Sequence, residues 1–326
     1  MKKYIATVIA LSMVLMCGCT ANTKKEEVDT KAETTVGTIE EKAPEAVTFT
    51  DDLGRKVTIE NPQKVACLIG SFSDIWYLAG GVDQIVAATD ATWKFFDLPL
   101  GEDVVNLGPA KDLNVEQLLA CDPDFVLASC GNERNVALEE AMDEMGMNTA
   151  YFHVDHFEDY LRVLDLFTDI TGKKENYETY GLKVQTQVEK ARERVDGSQP
   201  SVLYVRATGS SCKVKNSEEN VLGEMLADLD CINIADQDKS LLEQLSVEKI
   251  LEEDPEYIFV VIQGSDPTEA EAILESTLLS NPAWETLTAV KEGRYYVMDQ
   301  SLYNMKPNAR WGEAYEKLAD ILYPEK

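Results

Sequence analysis

Residues 114–127 of this chain read Asn114-Val115-Glu116-Gln117-Leu118-Leu119-Ala120-Cys121-Asp122-Pro123-Asp124-Phe125-Val126-Leu127. They recur 132 positions later as Ser246-Val247-Glu248-Lys249-Ile250-Leu251-Glu252-Glu253-Asp254-Pro255-Glu256-Tyr257-Ile258-Phe259. Five of the fourteen positions are identical, and most of the others exchange like for like. Each copy reads as one short unit. Asn114 or Ser246 is a good N-cap, because its side chain can accept from an orphan amide of the first turn. About two helical turns follow. Asp-Pro ends them, since proline disfavours helix at the residue before it and has no N–H to donate. A buried strand then begins at Phe125 or Tyr257. One helix-to-strand unit in each half predicts two similar α/β lobes.

At 326 residues the chain is long enough for two domains, each with its own core. Its formal net charge of −29 disfavours nucleic-acid binding, which needs a basic footprint. The N-terminus carries the most specific local signal. Lys2-Lys3 precede an apolar run from Tyr4 to Met16, too short to span a membrane, and Met16-Cys17-Gly18-Cys19 follows. This pattern resembles a bacterial lipoprotein signal, cleaved before Cys19 with lipid on its thiol. The usual leucine three residues before that cysteine is here Met16. An ordinary secretory signal is the alternative. Residues 1–18 are thus expected to be a signal peptide and residues 19–45 a polar tether without apolar periodicity. Of the other cysteines, Cys67, Cys121, Cys130, Cys212 and Cys231 are odd in number and form no C-x-x-C pair, so they read as small buried residues.

Along the chain, Val47–Thr50 and Lys56–Ile59 flank Asp52-Leu53-Gly54-Arg55, a hairpin signal. A strand at 64–69 leads into an exit loop, Gly70-Ser71-Phe72-Ser73, with a helix from Asp74 to Ala79. Trp93, Phe95 and Phe96 lie in a long connection. Asp155 and Glu158 read as a capping box for a helix to about Ile170. A further helical run from Lys174 to Val195 is long enough to reach from one lobe to the other. A strand at 201–206 is expected to pass into a loop around Gly209-Ser210-Ser211. The strand–helix alternation implies mainly parallel sheets. The expected divisions are an N-terminal lobe at 46–172, an interlobe helix at 173–197 and a C-terminal lobe at 198–326.

In aggregate, Thr50-Asp51-Asp52-Leu53-Gly54-Arg55-Lys56-Val57-Thr58-Ile59, the segment 65–73, the doubled box and Asn281-Pro282-Ala283-Trp284 resemble one family. It is that of the iron-complex, haem and cobalamin substrate-binding proteins of bacterial ABC importers. The resemblance covers roughly residues 47–323. It implies two Rossmann-like α/β lobes joined by one long helix, a ligand cleft between them and little closure on binding. It also implies that Glu116 and Glu248 pair with arginines of a permease dimer served by an ATPase. Read without the resemblance, each is an exposed carboxylate favoured by its helix dipole.

Ligands of open α/β sheets sit beyond the carboxyl ends of strands. Ser71, Phe72, Trp93, Phe95, Asn132, Arg206 and Lys213 lie in such loops. The aromatic residues can wall a large flat ligand or form a satellite cluster under a loop. Arg206 and Arg310 suit carboxylate or catecholate oxygens, or else intramolecular pairs in an acid-rich chain. Tyr303 can donate a hydrogen bond or, for haem, ligate iron, or simply pack. The expected cargo is a ferric siderophore, alternatively haem or cobalamin, with no resident cofactor or metal.

His153 and His156 are the only histidines, too few for a zinc or manganese importer site, and read as exposed at a helix N-terminus. No G-x-S-x-G, Walker loop or G-x-G-x-x-G occurs, which argues against an enzyme. A lipoprotein adhesin, enzyme or sensor subunit is the competing class. The expected protein is an extracytoplasmic monomer, held at the membrane only through lipid on Cys19.

Overall fold

The computed structural model describes residues 46–264 and 266–324. The signal segment, the tether and Cys19 lie outside the described residues. The hairpin is formed by β1 (Val47–Thr50) and β2 (Lys56–Ile59). Its turn uses Gly54 at φ 83°, a conformation that costs glycine little. Asp51 is buried inside the turn. Its carboxylate accepts from the N–H groups of Leu53 and Arg55, the Arg55 guanidinium, and the N–H of Tyr151. The Asp-Asp-x-Gly-Arg pattern therefore fastens the hairpin to the first lobe.

That lobe is built on β3 (Val65–Cys67), β4 (Ile85–Ala88), β5 (Val105–Asn106), β6 (Phe125–Ser129) and β7 (Thr149–Phe152). Their order is β5-β4-β3-β6-β7, parallel throughout. The second lobe holds β8 (Ser201–Thr208), β9 (Ser211–Lys215), β10 (Ile232–Asn233), β11 (Tyr257–Ile262) and β12 (Tyr295–Met298). Here β10-β8-β11-β12 are parallel and β9 runs antiparallel to β8. The strand that follows each copy of the box, β6 or β11, lies inside its sheet. That explains its unbroken apolar run.

Seven helices matter for the site: α1 (Gly70–Leu78), α2 (Ala91–Phe95), α3 (Val115–Ala120), α4 (Phe157–Thr171), α5 (174–192), α6 (Val247–Glu253) and α7 (Trp311–Leu322). α1 begins at Gly70, where a loop was expected. Phe72, Ile75, Trp76 and Ala79 recur at helical spacing and are all buried, so the apolar stripe starts a turn earlier than Asp74. α4 starts one residue later than predicted. Its capping pair is His156 with Asp159, whose carboxylate accepts the His156 N–H at 3.3 Å. Asp155 is engaged elsewhere, by Lys306.

α5 is continuous from 174 to 192, about 28 Å at 1.5 Å per residue, and includes a π turn at Glu178–Leu182. Gly181 sits in that turn because a Cβ there would come within 2.8 Å of the Tyr177 ring. The loop expected around Gly209-Ser210-Ser211 is the tip of a β8–β9 hairpin, whose second strand already starts at Ser211 and sets Lys213 opposite Arg206. One hydrophobic core runs without a break from Val65 and Phe125 of the first sheet, through α4, α5 and α7, to Val202 and Phe259 of the second. Smaller cores close the outer face of each sheet. The fold is thus two α/β lobes joined by one long helix.

Candidate ligand cleft

Parallel strands end on a common edge, so the segments after β3, β6 and β7 gather at one place. They bring Ile69–Phe72, Ser129, Gly131, Asn132 and the run His153-Val154-Asp155 together. From the second lobe, Asn304-Met305-Lys306 and Glu219 face them. The two sides enclose a cavity of 340 Å³.

Each wall is fixed by a local device. Gly70 allows α2 to lie against α1, since a Cβ at Gly70 would be 2.9 Å from Ala91. Asn132 caps a short helix at Glu133–Val136 through its Oδ1, which accepts the Asn135 N–H at 3.0 Å. The Asp52 carboxylate accepts the His153 N–H at 2.6 Å and so pins the loop after β7. Across the cleft, the Lys306 ammonium donates to Asp155 Oδ1 at 3.0 Å. The other oxygen of Asp155 lies 3.1 Å from His153 Nε2.

Beneath the cavity a polar contact ties the lobes. Asn308, fully buried, donates through its Nδ2 to the Ser71 carbonyl at 3.0 Å and to Asp74 Oδ2 at 2.7 Å. Burial pushes the Asp74 carboxyl up to about 6, and the bond from Asn308 opposes that rise.

The sequence-predicted residues fall into four groups. Ser71, Phe72 and Asn132 line the cavity. Arg206 stands one step behind it, donating to the Asn304 carboxamide oxygen at 3.2 Å. Phe95 and Arg310 belong to a second recess of 360 Å³, with Phe96, Asp74 and Tyr77. It shares Lys306 with the first. Arg310 is paired with Glu313 at 2.7 Å, the intramolecular partner that an acid-rich chain readily supplies. Trp93, Lys213 and Tyr303 line neither cavity. Trp93 is 42 % exposed on α2. Tyr303 is a correction: it is buried, and its hydroxyl donates to the Ala314 carbonyl at 3.0 Å, so its phenol is not offered to a ligand.

The reading of the sequence missed Asp155, Asn304, Met305, Lys306, Glu219 and the Asp74–Asn308 contact. His153 was weighed as a metal ligand and read as an exposed imidazole at a helix N-terminus. Among the described residues no cluster of three His, Cys, Asp or Glu side chains is placed to hold a metal ion.

Glu116 and Glu248 occupy the second position of α3 and α6. Both are exposed, with no hydrogen-bond or ion-pair partner among the described residues. Asn114 Oδ1 accepts the Gln117 N–H at 3.0 Å, and Ser246 Oγ accepts the Lys249 N–H at 3.4 Å. The likeness extends into the backbone. Asp122 and Asp254, each before its proline, adopt left-handed φ values of 47° and 40°.

The periplasmic binding protein family model matches residues 65–302. The chain belongs to that family. It is 21 % identical over 327 residues to an uncharacterised ABC transporter substrate-binding lipoprotein of Bacillus subtilis, YvrC, covering 99 % of this chain and 96 % of the relative. It is 21 % identical over 310 residues to the Fe(3+)-citrate-binding protein YfmC of the same organism, covering 92 % and 90 %. Among solved structures, Staphylococcus aureus SirA with staphyloferrin B has a TM-score of 0.61 at 21 % identity, covering 85 % of this chain and 97 % of SirA. Staphylococcus aureus IsdE with haem gives 0.65 at 15 % identity, covering 80 % and 98 %. The vitamin B12 binding protein BtuF of Vibrio cholerae gives 0.65 at 18 % identity, covering 80 % and 97 %. These structures share the two-lobe fold. The chain is thus a substrate-binding protein of the ABC transporter type and not an enzyme.

Proposed function

We propose that this protein captures an iron complex, a ferric siderophore in the first place, in the cleft between its lobes and delivers it to an ABC import permease. One observation carries the reading: the 340 Å³ cavity is walled by both lobes and sits at the carboxyl edge of the first sheet. Its size is within the roughly 300–1,000 Å³ usual for small-molecule sites. Ser71, Phe72 and Asn132 on one side and Lys306 on the other are the residues proposed to meet the ligand. The adjoining recess with Phe95, Phe96 and Arg310 extends the surface open to a larger one. The names of YfmC and of SirA with its siderophore support an iron complex. Haem and cobalamin are the second reading, supported by IsdE and BtuF and by the aromatic recess.

Delivery is assigned to Glu116 and Glu248, one on each lobe, which are proposed to dock onto basic residues of a permease dimer served by an ATPase. Removal of residues 1–18 and lipid on Cys19, with 19–45 as tether, would hold a monomer on the extracytoplasmic face of the cell membrane. The lipoprotein name of YvrC supports that placement. The test is a titration of tryptophan fluorescence and visible absorption with a ferric siderophore, haem and cobalamin. Sub-micromolar binding of the first is expected, and failure of all three to bind at that level overturns the assignment.

A further inference from the structure

The cleft contains hydrogen-bond donors for which the described residues supply no acceptor. α1 is nine residues long, and its N-cap, Ile69, has no side chain able to accept. No acidic residue lies in its first turn. The N–H groups of Phe72 and Ser73 turn back to the Ile69 carbonyl. Those of Gly70 and Ser71 have no acceptor among the described residues. A helix start left in this state presents bare amides and the positive end of the dipole.

A second, independent observation points the same way. Ser71 is 3 % exposed and lines the cavity, and its Oγ has no hydrogen-bond partner among the described residues. Buried polar atoms in native folds are nearly always paired, so an orphan at a cavity wall marks a place where something else completes the set. Of the charged groups lining the cavity, Lys306 is basic and Asp155 and Glu219 are acidic. Lys306 brings an ammonium to it, and both oxygens of Asp155 are already engaged, one by Lys306 and one against His153. Glu219 is exposed.

We propose that the start of α1 is an oxyanion subsite. The Gly70 and Ser71 amides and the Ser71 hydroxyl take a carboxylate of the bound molecule, with Lys306 supplying positive charge from the other lobe. This rests on the reading of the cleft as the transport site and narrows its cargo to iron chelates that carry carboxylates. Anions at helix N-termini are stabilised by the same donors and dipole elsewhere. A ferric tris-hydroxamate, neutral overall because its three hydroxamate anions balance the iron, offers no free carboxylate to place there.

The experiment compares ferric citrate, iron-free citrate and a neutral ferric tris-hydroxamate on the full chain, for the unsubstituted protein, Ser71→Ala and Ser71→Asp. Ser71→Ala removes one donor to a charged oxygen and should shift the preference between the two ferric chelates against citrate by about tenfold. Ser71→Asp places a carboxylate where the amides can use it, so it should abolish citrate binding without lowering the midpoint of thermal unfolding. Should Ser71→Asp fail to fold, the preference shift in Ser71→Ala decides alone. An unchanged preference in Ser71→Ala, or citrate bound as tightly by Ser71→Asp, overturns the subsite and leaves the cleft reading standing. If the unsubstituted protein binds no siderophore, haem or cobalamin, the transport reading falls by itself. The subsite is then judged on iron-free citrate: thermal protection that Ser71→Asp loses upholds it, and no protection overturns it.

Discussion

The two lobes are alike on the outside and unlike on the inside. On the outer face the two copies of the box match down to backbone angles and to bonds made by equivalent acids. Asp124 accepts from the N–H groups of Gln63 and Lys64 at the entrance to β3. Glu256, 132 residues later, accepts from the N–H of Ser201 at the entrance to β8. Facing the cleft there is no such correspondence. The first lobe offers a bare helix start and three strand-end segments, while the second offers Asn304-Met305-Lys306 backed by a β8–β9 hairpin that the first lobe lacks. A surface repeated in both lobes suits a partner that also presents two equivalent halves. An unrepeated interior suits a ligand with no symmetry to match.

The sharpest way to break that comparison is to remove both outer carboxylates. Glu116→Ala with Glu248→Ala should abolish uptake of the ligand by cells while the purified protein keeps its affinity, because neither side chain borders the cleft. Normal uptake by the double variant would mean that the repeat is only a structural cap. The surroundings of the two glutamates differ enough to make the single variants informative. Glu248 and Glu243 border an open recess of 550 Å³. Glu116 instead stands one turn from Leu119, which is 41 % exposed. Charge at such a rim chiefly steers encounter, so each single loss should show more in rate, and more at low salt, than in final accumulation.

The inner contact is tested by pH. The Asp74 carboxyl is raised from 3.8 to about 6 by burial, with the Asn308 bond pulling against it. The folded protein therefore binds a proton between those values that the unfolded chain does not. Stability should fall as pH rises from about 4 to 6, by about 2 kcal/mol for a shift of this size. Asp74→Asn should remove that slope and raise the urea midpoint at pH 7.5. An identical slope in the variant would place the buried proton elsewhere.

The outer face was legible in the sequence because its signals are local. N-caps, Asp-Pro and apolar strand runs act within a few residues, and a repeat doubles the evidence for each. The two-lobe fold and the bridging helix followed from the same kind of signal. The left-handed backbone at Asp122 and Asp254 was not foreseen, since proline excludes right-handed helix before it without choosing what replaces it. The cleft was less legible. Ser71, Phe72 and Asn132 were named because strand ends point to ligands, and they line the cavity. The pairing of Lys306 with Asp155 spans 151 residues, and in so acidic a chain any one carboxylate carries no signal. The partners of Tyr303 and Arg310 were no more legible, for the same reason. Their partners are the Ala314 carbonyl and Glu313, and which partner is in reach is decided by how the chain turns into α7.

The smallest expected effect asks whether the two boxes are alike in energy as well as in shape. α3 and α6 have only six and seven residues, so each depends on its cap to hold its glutamate in place. Asn114→Ala removes a bond of 3.0 Å and should cost about 1 kcal/mol. Ser246→Ala removes a bond of 3.4 Å, near the limit at which a hydrogen bond still counts, and should cost clearly less. Urea unfolding of the two variants measures both losses. Equal losses would show that the first turn of each helix is held mainly by something common to the lobes, with Leu118 and Ile250, both fully buried at the same place in the repeat, as the candidates. Unequal losses in the expected order would show that evenly repeated geometry rests on unevenly strong caps, with the weaker one beside the glutamate that already borders a recess.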